Sequence, residues 1–284
     1  MDGKWGMPYR GSKNTIAKEI LCTLPEGKRF VDLFGGGFAM SHCCLVNFCG
    51  GLFPKYESVL YNDHNPLLKL LIKKAIDGFY NYDSFKPEWV SKERFLAEKE
   101  GDAYIKWVWS FGNSGDRYIF GKNIEELKRQ AHQLVVFGEV NELTKDVVLK
   151  GTDIKTRRLE WMAYCRSQKK RCDLEQLERL ERIQQLERLE RLERLELTAI
   201  DYHDYEYRDG DVVYCDIPYE LSTEVCYGSA FDFKEFRRWV KSRNYRVYVS
   251  SYIDAPVVWQ RSKLVTMSRW SNNSTRQECL FCYN

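Results

Sequence analysis

The chain has 284 residues, 44% of them hydrophobic, which is enough to bury a full core and predicts one main domain with a subdomain. Lys and Arg number 44 against 41 Asp and Glu, so a net charge of +3 excludes nucleic-acid binding through bulk charge and leaves it to local basic patches. There is no run of eighteen apolar residues and no apolar signal core at the N-terminus, so a cytoplasmic protein without a membrane partner is expected.

In chain order, Pro8-Tyr9-Arg10-Gly11-Ser12-Lys13 precedes a helix predicted from about Asn14 to Leu24. Arg29 to Phe34 reads as a short buried strand, followed at once by Gly35-Gly36-Gly37 and a helix from Ala39 to Leu45. Glycines at a strand-to-helix turn let backbone approach a ligand closely, although the G-x-G-x-x-G fingerprint is absent. A second strand, Ser58 to Tyr61, ends in Asn62-Asp63, where a carboxylate can hold both hydroxyls of a ribose. Asn65 and Pro66 then start a helix with Leu67, Leu68, Leu71, Ile72 and Ala75 on its apolar face and Gly78 at its end.

After Tyr80 the alternation of strand and helix stops, and residues 81–172 carry helical patterns and loops. Trp107, Trp109 and Phe111 fit a base-contacting wedge or, more in keeping with small cores, buried packing. Residues 150–171 hold eight Lys or Arg against two acids, which makes them the candidate for phosphate contacts, through Lys155, Arg157, Arg158, Lys169, Lys170 and Arg171. From Leu174 to Leu195, Leu or Ile recurs at every third position in Leu-Glu-Arg triplets. On an α-helix such a stripe slips about 60° per triplet and faces no single side. With seven Glu and five Arg between 174 and 196, the segment is expected to be a helical connector, about 33 Å long if continuous, that tolerates shortening. The sheet resumes near Glu196 to Ile200. Asp232 and Glu235 form a capping box for a helix over Phe233–Lys241, and Val247 to Ser250 and Cys279 to Tyr283 complete the strands. Cys279 and Cys282 are the one C-x-x-C pair among ten scattered cysteines, and His42, His64, His132 and His203 form no pair at ligand spacing. Reduced thiols and no metal site are expected.

The densest signal is Val212-Val213-Tyr214-Cys215-Asp216-Ile217-Pro218-Tyr219. A buried strand runs directly into an acid, a proline and a tyrosine, at the strand end where open α/β sheets bind ligands. A carboxylate accepts a hydrogen bond from an exocyclic amine and leaves the nitrogen lone pair free, and an aromatic ring stacks on a flat base. Pro218 keeps Ile217 out of helical geometry, so the Ile217 carbonyl can turn to the same amine.

Taken in order, Pro-Tyr-x-Gly-x-Lys, Asp-x-Phe-x-Gly, Asn-Asp-x-Asn and Asp-x-Pro-Tyr form a constellation that resembles the Dam-like (D12 class) DNA adenine N6-methyltransferases. The resemblance covers residues 7–76 and 195–284 well and the middle of the chain weakly. It implies a Rossmann-like class I methyltransferase sheet in an α/β fold, with helices on both faces and an inserted, mainly helical target-recognition subdomain. The domains implied are 1–80 with 196–284 for catalysis, 81–172 for target recognition and 173–195 as the connector. It further implies S-adenosylmethionine as cofactor and double-stranded DNA as partner; a monomer is expected. By resemblance, Tyr9 and Lys13 lie by the methionine part of the cofactor. The stretch Asp32 to Gly36, with Phe34 and Gly35, wraps it, Asp63 holds its ribose, and Asp201 and Tyr202 contact its adenine. Asp216, Ile217, Pro218 and Tyr219 receive the target adenine, while Asn273 and Arg276 lie near the DNA.

Two departures stand out: Ile217 where the family usually has proline, and Phe38 where it often has a second glycine. They are the only hints of an alternative, a DNA-binding regulator without turnover. Ribosomal RNA adenine dimethylases carry the related Asn-Ile-Pro-Tyr, but there the motif follows the cofactor strand closely, whereas 184 positions separate Asp32 from Asp216 here. An RNA substrate is a further alternative, since no module that distinguishes a 2′-hydroxyl is present.

Overall fold

Arg29–Asp32 (β1) and Asp211–Cys215 (β4) are buried at every residue, the mark of strands covered on both faces. In the computed structural model, which describes residues 5–169, 173–218, 231–252, 263–269 and 277–283, they lie side by side in a seven-stranded sheet. The other strands are Ser58–Asn62 (β2), Leu195–Thr198 (β3), Val247–Tyr252 (β5), Lys263–Arg269 (β6) and Gln277–Tyr283 (β7), in the order β3-β2-β1-β4-β5-β7-β6. The first five in that order are parallel, and β7 runs antiparallel between β5 and β6. The chain leaves β1 for β2 on one side and returns in β4 on the other, so the order reverses at β1 and opens a crevice at the strand ends. In register, Asp32 stands opposite both Tyr61 and Tyr214, which brings the ends of β1, β2 and β4 level. At the opposite end, Arg29 forks onto Asp211 at 2.8 and 2.7 Å and pins the same two strands.

Alternation divides the sheet residues between two faces. Val31, Leu33, Leu60, Val213, Val247, Val249 and Phe281 pack with Phe236, Trp239 and Val240 of the helix Phe233–Lys241 (α9), whose first turn Asp232 caps as predicted. On the other face Phe30 lies against Tyr56 and Tyr214, and the helix Ala39–Asn47 (α2) reaches Asp32 through Ser41. The predicted helix before β1 is shorter than read from the sequence, spanning Ala17–Thr23 (α1), and the helix after β2 spans Pro66–Ile76 (α3).

The chain divides into two compact units, one of Met1–Met7, Gly11–Lys69 and Leu189–Asn284, the other of Pro8–Arg10 and Leu70–Arg188. The second contains the helices Lys92–Glu98 (α4), Ala103–Val108 (α5), Lys122–Phe137 (α6), Ile154–Ser167 (α7) and Glu175–Gln184 (α8). Its core joins Ala131, Leu134 and Val135 to Ile154, Trp161, Cys165, Leu174 and Leu177. Trp107 and Trp109 are buried, so packing explains them, while Phe111 is exposed.

The triplet repeat departs most from expectation. It is not one continuous helix: α8 gives way to a 3₁₀ turn at Gln185–Arg188, a second at Leu192–Arg194, and then β3. Nor is it a free connector, because Leu177, Leu180, Ile183 and Leu186 are all buried. A 3₁₀ helix has three residues per turn, so the tightening at Gln185 carries the third-residue stripe onward without the slip an α-helix imposes. The polar members are engaged as well. Arg179 donates to the carbonyls of Val108 and Ser110, Gln184 to that of Tyr80, and Gln176 lies 3.3 Å from buried His132.

Candidate active site

Asp216 emerges directly from β4, one residue beyond Cys215, and two residues beyond Tyr214, which is opposite Asp32. The Nζ of Lys13 sits 2.6 and 2.7 Å from the two oxygens of Asp216 and also donates to Gly11 O at 3.3 Å. The same ammonium is 3.2 Å from Glu278 of β7. Lys13 is 7% exposed and Glu278 5%, so an ammonium and two carboxylates meet in a nearly dry cluster. Burial pushes the Asp216 carboxyl up to about 6, against the pull of Lys13, and Glu278 adds to the rise. The Lys13 ammonium is held well above the usual lysine range because its two carboxylate partners outweigh the desolvation that opposes them.

Asp32, at the end of β1, accepts from Ser41 Oγ at 2.6 Å and Ser41 N at 3.2 Å, both at Oδ2. Its Oδ1 is buried without a hydrogen-bond partner among the described residues, and burial raises its carboxyl to about 7. The glycine turn follows. A Cβ at Gly35 would lie 2.3 Å from the Tyr61 ring, so only glycine fits there, and the Tyr61 hydroxyl donates to Gly36 O. Asp63 accepts from Gly36 N and Asn65 N at 2.9 Å each, which ties the turn to the end of β2 and leaves lone pairs on both oxygens. Phe38 takes φ 67°, the left-handed region that favours glycine. The strain of about 1–2 kcal/mol persists because the ring is fully buried against His42 and Tyr61. The residue that departs from the family pattern therefore keeps the backbone conformation suited to glycine.

Phe34 lies 5.4 Å from the ring of Tyr202 and packs on Phe236. Asp201 caps the short turn Tyr202–Asp204 through His203 N, with His203 Nδ1 2.6 Å from the same oxygen. Ile217 is buried in the core with Val213 and Phe236, which accounts for an aliphatic side chain in place of proline. Pro218 is partly buried. Lys13, Asp32, Phe34, Gly35, Gly36, Asp63, Asp201, Tyr202, Asp216, Ile217 and Pro218 thus all belong to the sheet-bearing unit. Tyr9 falls in the other, beside Trp107. Tyr219, Lys170, Arg171, Asn273 and Arg276 lie outside the described residues.

The family profile of D12 class N6 adenine-specific DNA methyltransferases matches residues 9–237. The chain belongs to this family. It is an adenine-specific DNA methyltransferase. Among proteins of curated function, none matches the chain. Among the described residues, no group of three or more His, Cys, Asp or Glu is placed to hold a metal ion, and no helix is long and apolar enough to cross a membrane.

Two of the basic residues assigned to DNA need correction. Arg158 is buried and forks onto Glu181 at 2.6 Å through both Nε and Nη2. Arg157 donates to the carbonyls of Val135, Val136 and Thr152 and closes the end of α6. Both guanidinium groups serve the fold of their own unit, whereas Lys155 and Lys169 are exposed. Sequence reasoning missed Ser41 and Glu278. Ser41 lies nine residues past Asp32 on α2, and Glu278 falls beyond the family match, in a strand that reads only as core.

The cluster predicts a pH effect. Were Asp216 the carboxylate that takes the target amine, it would act ionised, and kcat should rise with pH through about 6 and level off above. Lys13→Met removes the cation that favours the carboxylate, and the acid limb of the kcat profile should move to higher pH. Steady-state rates from pH 5 to 9 check this; an unmoved limb in a folded variant would contradict it.

Proposed function

We propose that the enzyme takes its methyl group from S-adenosylmethionine and delivers it to an adenine rotated out of the DNA duplex. The observation that carries this reading is the Asp216 carboxylate at the end of β4, gripped by Lys13 and one strand away from Asp32, whose buried Oδ1 has no partner among the described residues. An orphaned buried carboxylate oxygen is costly and fits a donor group of a ligand. The remaining residues suit the same ligand: Asp63 for ribose hydroxyls, and the Phe34–Tyr202 pair with Asp201 for a flat ring with an amine. When bound, S-adenosylmethionine supplies a methyl group activated by a sulfonium. Asp216 and the carbonyl of Ile217 accept the two N–H bonds of the adenine amine, which directs the nitrogen lone pair away from the ring plane. The positive charge that develops on nitrogen is opposed by the carboxylate, and the surplus proton leaves to water. Tyr219 would stack on the extruded base. The helical unit would read the target, with Lys155 and Lys169 on phosphates. The reading is of a monomer acting in the cytoplasm.

Asp63→Ala tests the cofactor assignment. It should weaken S-adenosylmethionine binding, measured by calorimetry, far more than DNA binding. Unchanged cofactor affinity in folded protein would remove Asp63 from the site.

A further inference from the structure

We propose that His203 is a positioning residue for the methyl donor: its main-chain N–H and its imidazole together occupy one oxygen of Asp201, so that the other oxygen is held toward the amine of the donor's adenine ring. The inference rests on the reading that Asp201 meets that amine.

The arrangement begins in the turn that follows β3. Asp201 caps the turn Tyr202–Asp204 by accepting from His203 N at 2.9 Å, and a cap of this kind needs only that one donor. Here the imidazole adds a second on the same oxygen: His203 Nδ1 lies 2.6 Å from Asp201 Oδ1. An ionised carboxylate only accepts, so Nδ1 carries the proton. Against the partial burial that would raise it, these bonds hold the Asp201 carboxyl below the ordinary aspartate value. The ring itself is fixed from two sides. It stacks on Tyr202 with centroids 4.0 Å apart, and its Nε2 lies 3.4 Å from Glu235 Oε1 of α9. Tyr202 in turn packs on Phe34, Phe236 and Trp239, and Glu235 is steadied by Arg238 at 2.8 Å. The imidazole is thus set by the sheet and its covering helix, and Asp201 is set by the imidazole. Asp201 Oδ2 is left open. Among the described residues it accepts no hydrogen bond, since His64 Nδ1 is 3.9 Å away on a largely exposed side chain. An anionic oxygen with free lone pairs, next to the Tyr202 ring, suits an exocyclic amine on a flat base, which offers donors alone. The effect acts through Asp201, without contact between the imidazole and the donor.

The test uses the full chain and calorimetry with two probes, S-adenosylhomocysteine and its deamino analogue, in which purine replaces adenine. Wild type should prefer the amine-bearing probe on the order of 10- to 100-fold, because the analogue leaves a charged acceptor unmet. His203→Ala should shrink that preference by about five-fold or more, while affinity for the deamino analogue stays near wild type. An equal loss for both probes is what a merely loosened turn would give, and it overturns the proposal, as does an unchanged preference. Two further variants separate the donor from the stacking. His203→Phe keeps a ring on Tyr202 without the N–H and should behave like alanine, whereas His203→Asn offers a short side-chain donor and should recover most of the preference. The reverse order overturns the proposal, and this pair decides if His203→Ala fails to fold. An Asp201→Ala control distinguishes the two readings. A preference absent from wild type, or kept in Asp201→Ala, removes Asp201 from the amine and this proposal with it. A preference lost in Asp201→Ala but kept in His203→Ala overturns this proposal alone.

Discussion

Replacing Asp216 by alanine is expected to lower methyl transfer by on the order of a thousand-fold or more while leaving cofactor binding nearly intact. In the proposed mechanism the contact with the amine strengthens as positive charge builds on nitrogen, so its loss should fall on kcat. The fold should survive, because Lys13 keeps Glu278 at 3.2 Å and is not left as a lone buried cation. Asp216→Asn keeps an acceptor oxygen without the charge and should fall between alanine and wild type. Nucleoside mass spectrometry of N6-methyladenine, paired with calorimetry of the cofactor, measures both sides. An alanine variant within ten-fold of wild type would show that position 216 does not hold the reacting amine.

Deleting two triplets, Leu177 to Arg182, should abolish folding of the helical unit. Leu177 and Leu180 are fully buried, Arg179 closes the end of α5 through two carbonyls, and Glu181 is the partner of Arg158. Even Leu180→Ala should cost about 2–5 kcal/mol by removing buried methyl groups and leaving a cavity. That is comparable with the whole stability margin of a small unit. Loss of the cooperative thermal transition and rapid proteolysis between residues 70 and 188 would be the signs. A soluble deletion variant that melts like wild type would return the repeat to the role of a connector.

The sheet-bearing half was legible because its constraints are local. A buried run ending in Asp216, a glycine turn after Asp32 and an acid after β2 each state their position within a few residues, and the parallel sheet aligns them. The helical half was not. Whether Arg158 meets a phosphate or Glu181 depends on how α7 docks on α8, which no short pattern records. The repeat misled for a sharper reason. A period of three was judged against one long α-helix, whereas α8 is short enough to bury Leu177, Leu180 and Ile183 before the stripe slips away, and the chain then tightens at Gln185 into a 3₁₀ turn that buries Leu186. Glu278 was hidden because a charge in an apolar strand declares itself only once Lys13 arrives from the other end of the sequence.

A segment written in identical triplets also carries an ambiguity of frame. Slid by three residues, Leu-Glu-Arg presents the same side chains to the same holes, so hydrophobic burial alone does not choose among offsets. The choice falls to the letters that break the pattern. In the native frame buried Gln176 meets His132, and Gln184 meets the carbonyl of Tyr80. Sliding the segment by one unit would bring Arg179 to the place of Gln176 and bury a guanidinium beside an imidazole, or move Gln184 away from its carbonyl. Gln176 and Gln184 thus act as stops on a ruler whose other marks are nearly alike, and restoring the repeat's own letters there, arginine at 176 and glutamate at 184, would leave the chain free to settle in more than one alignment.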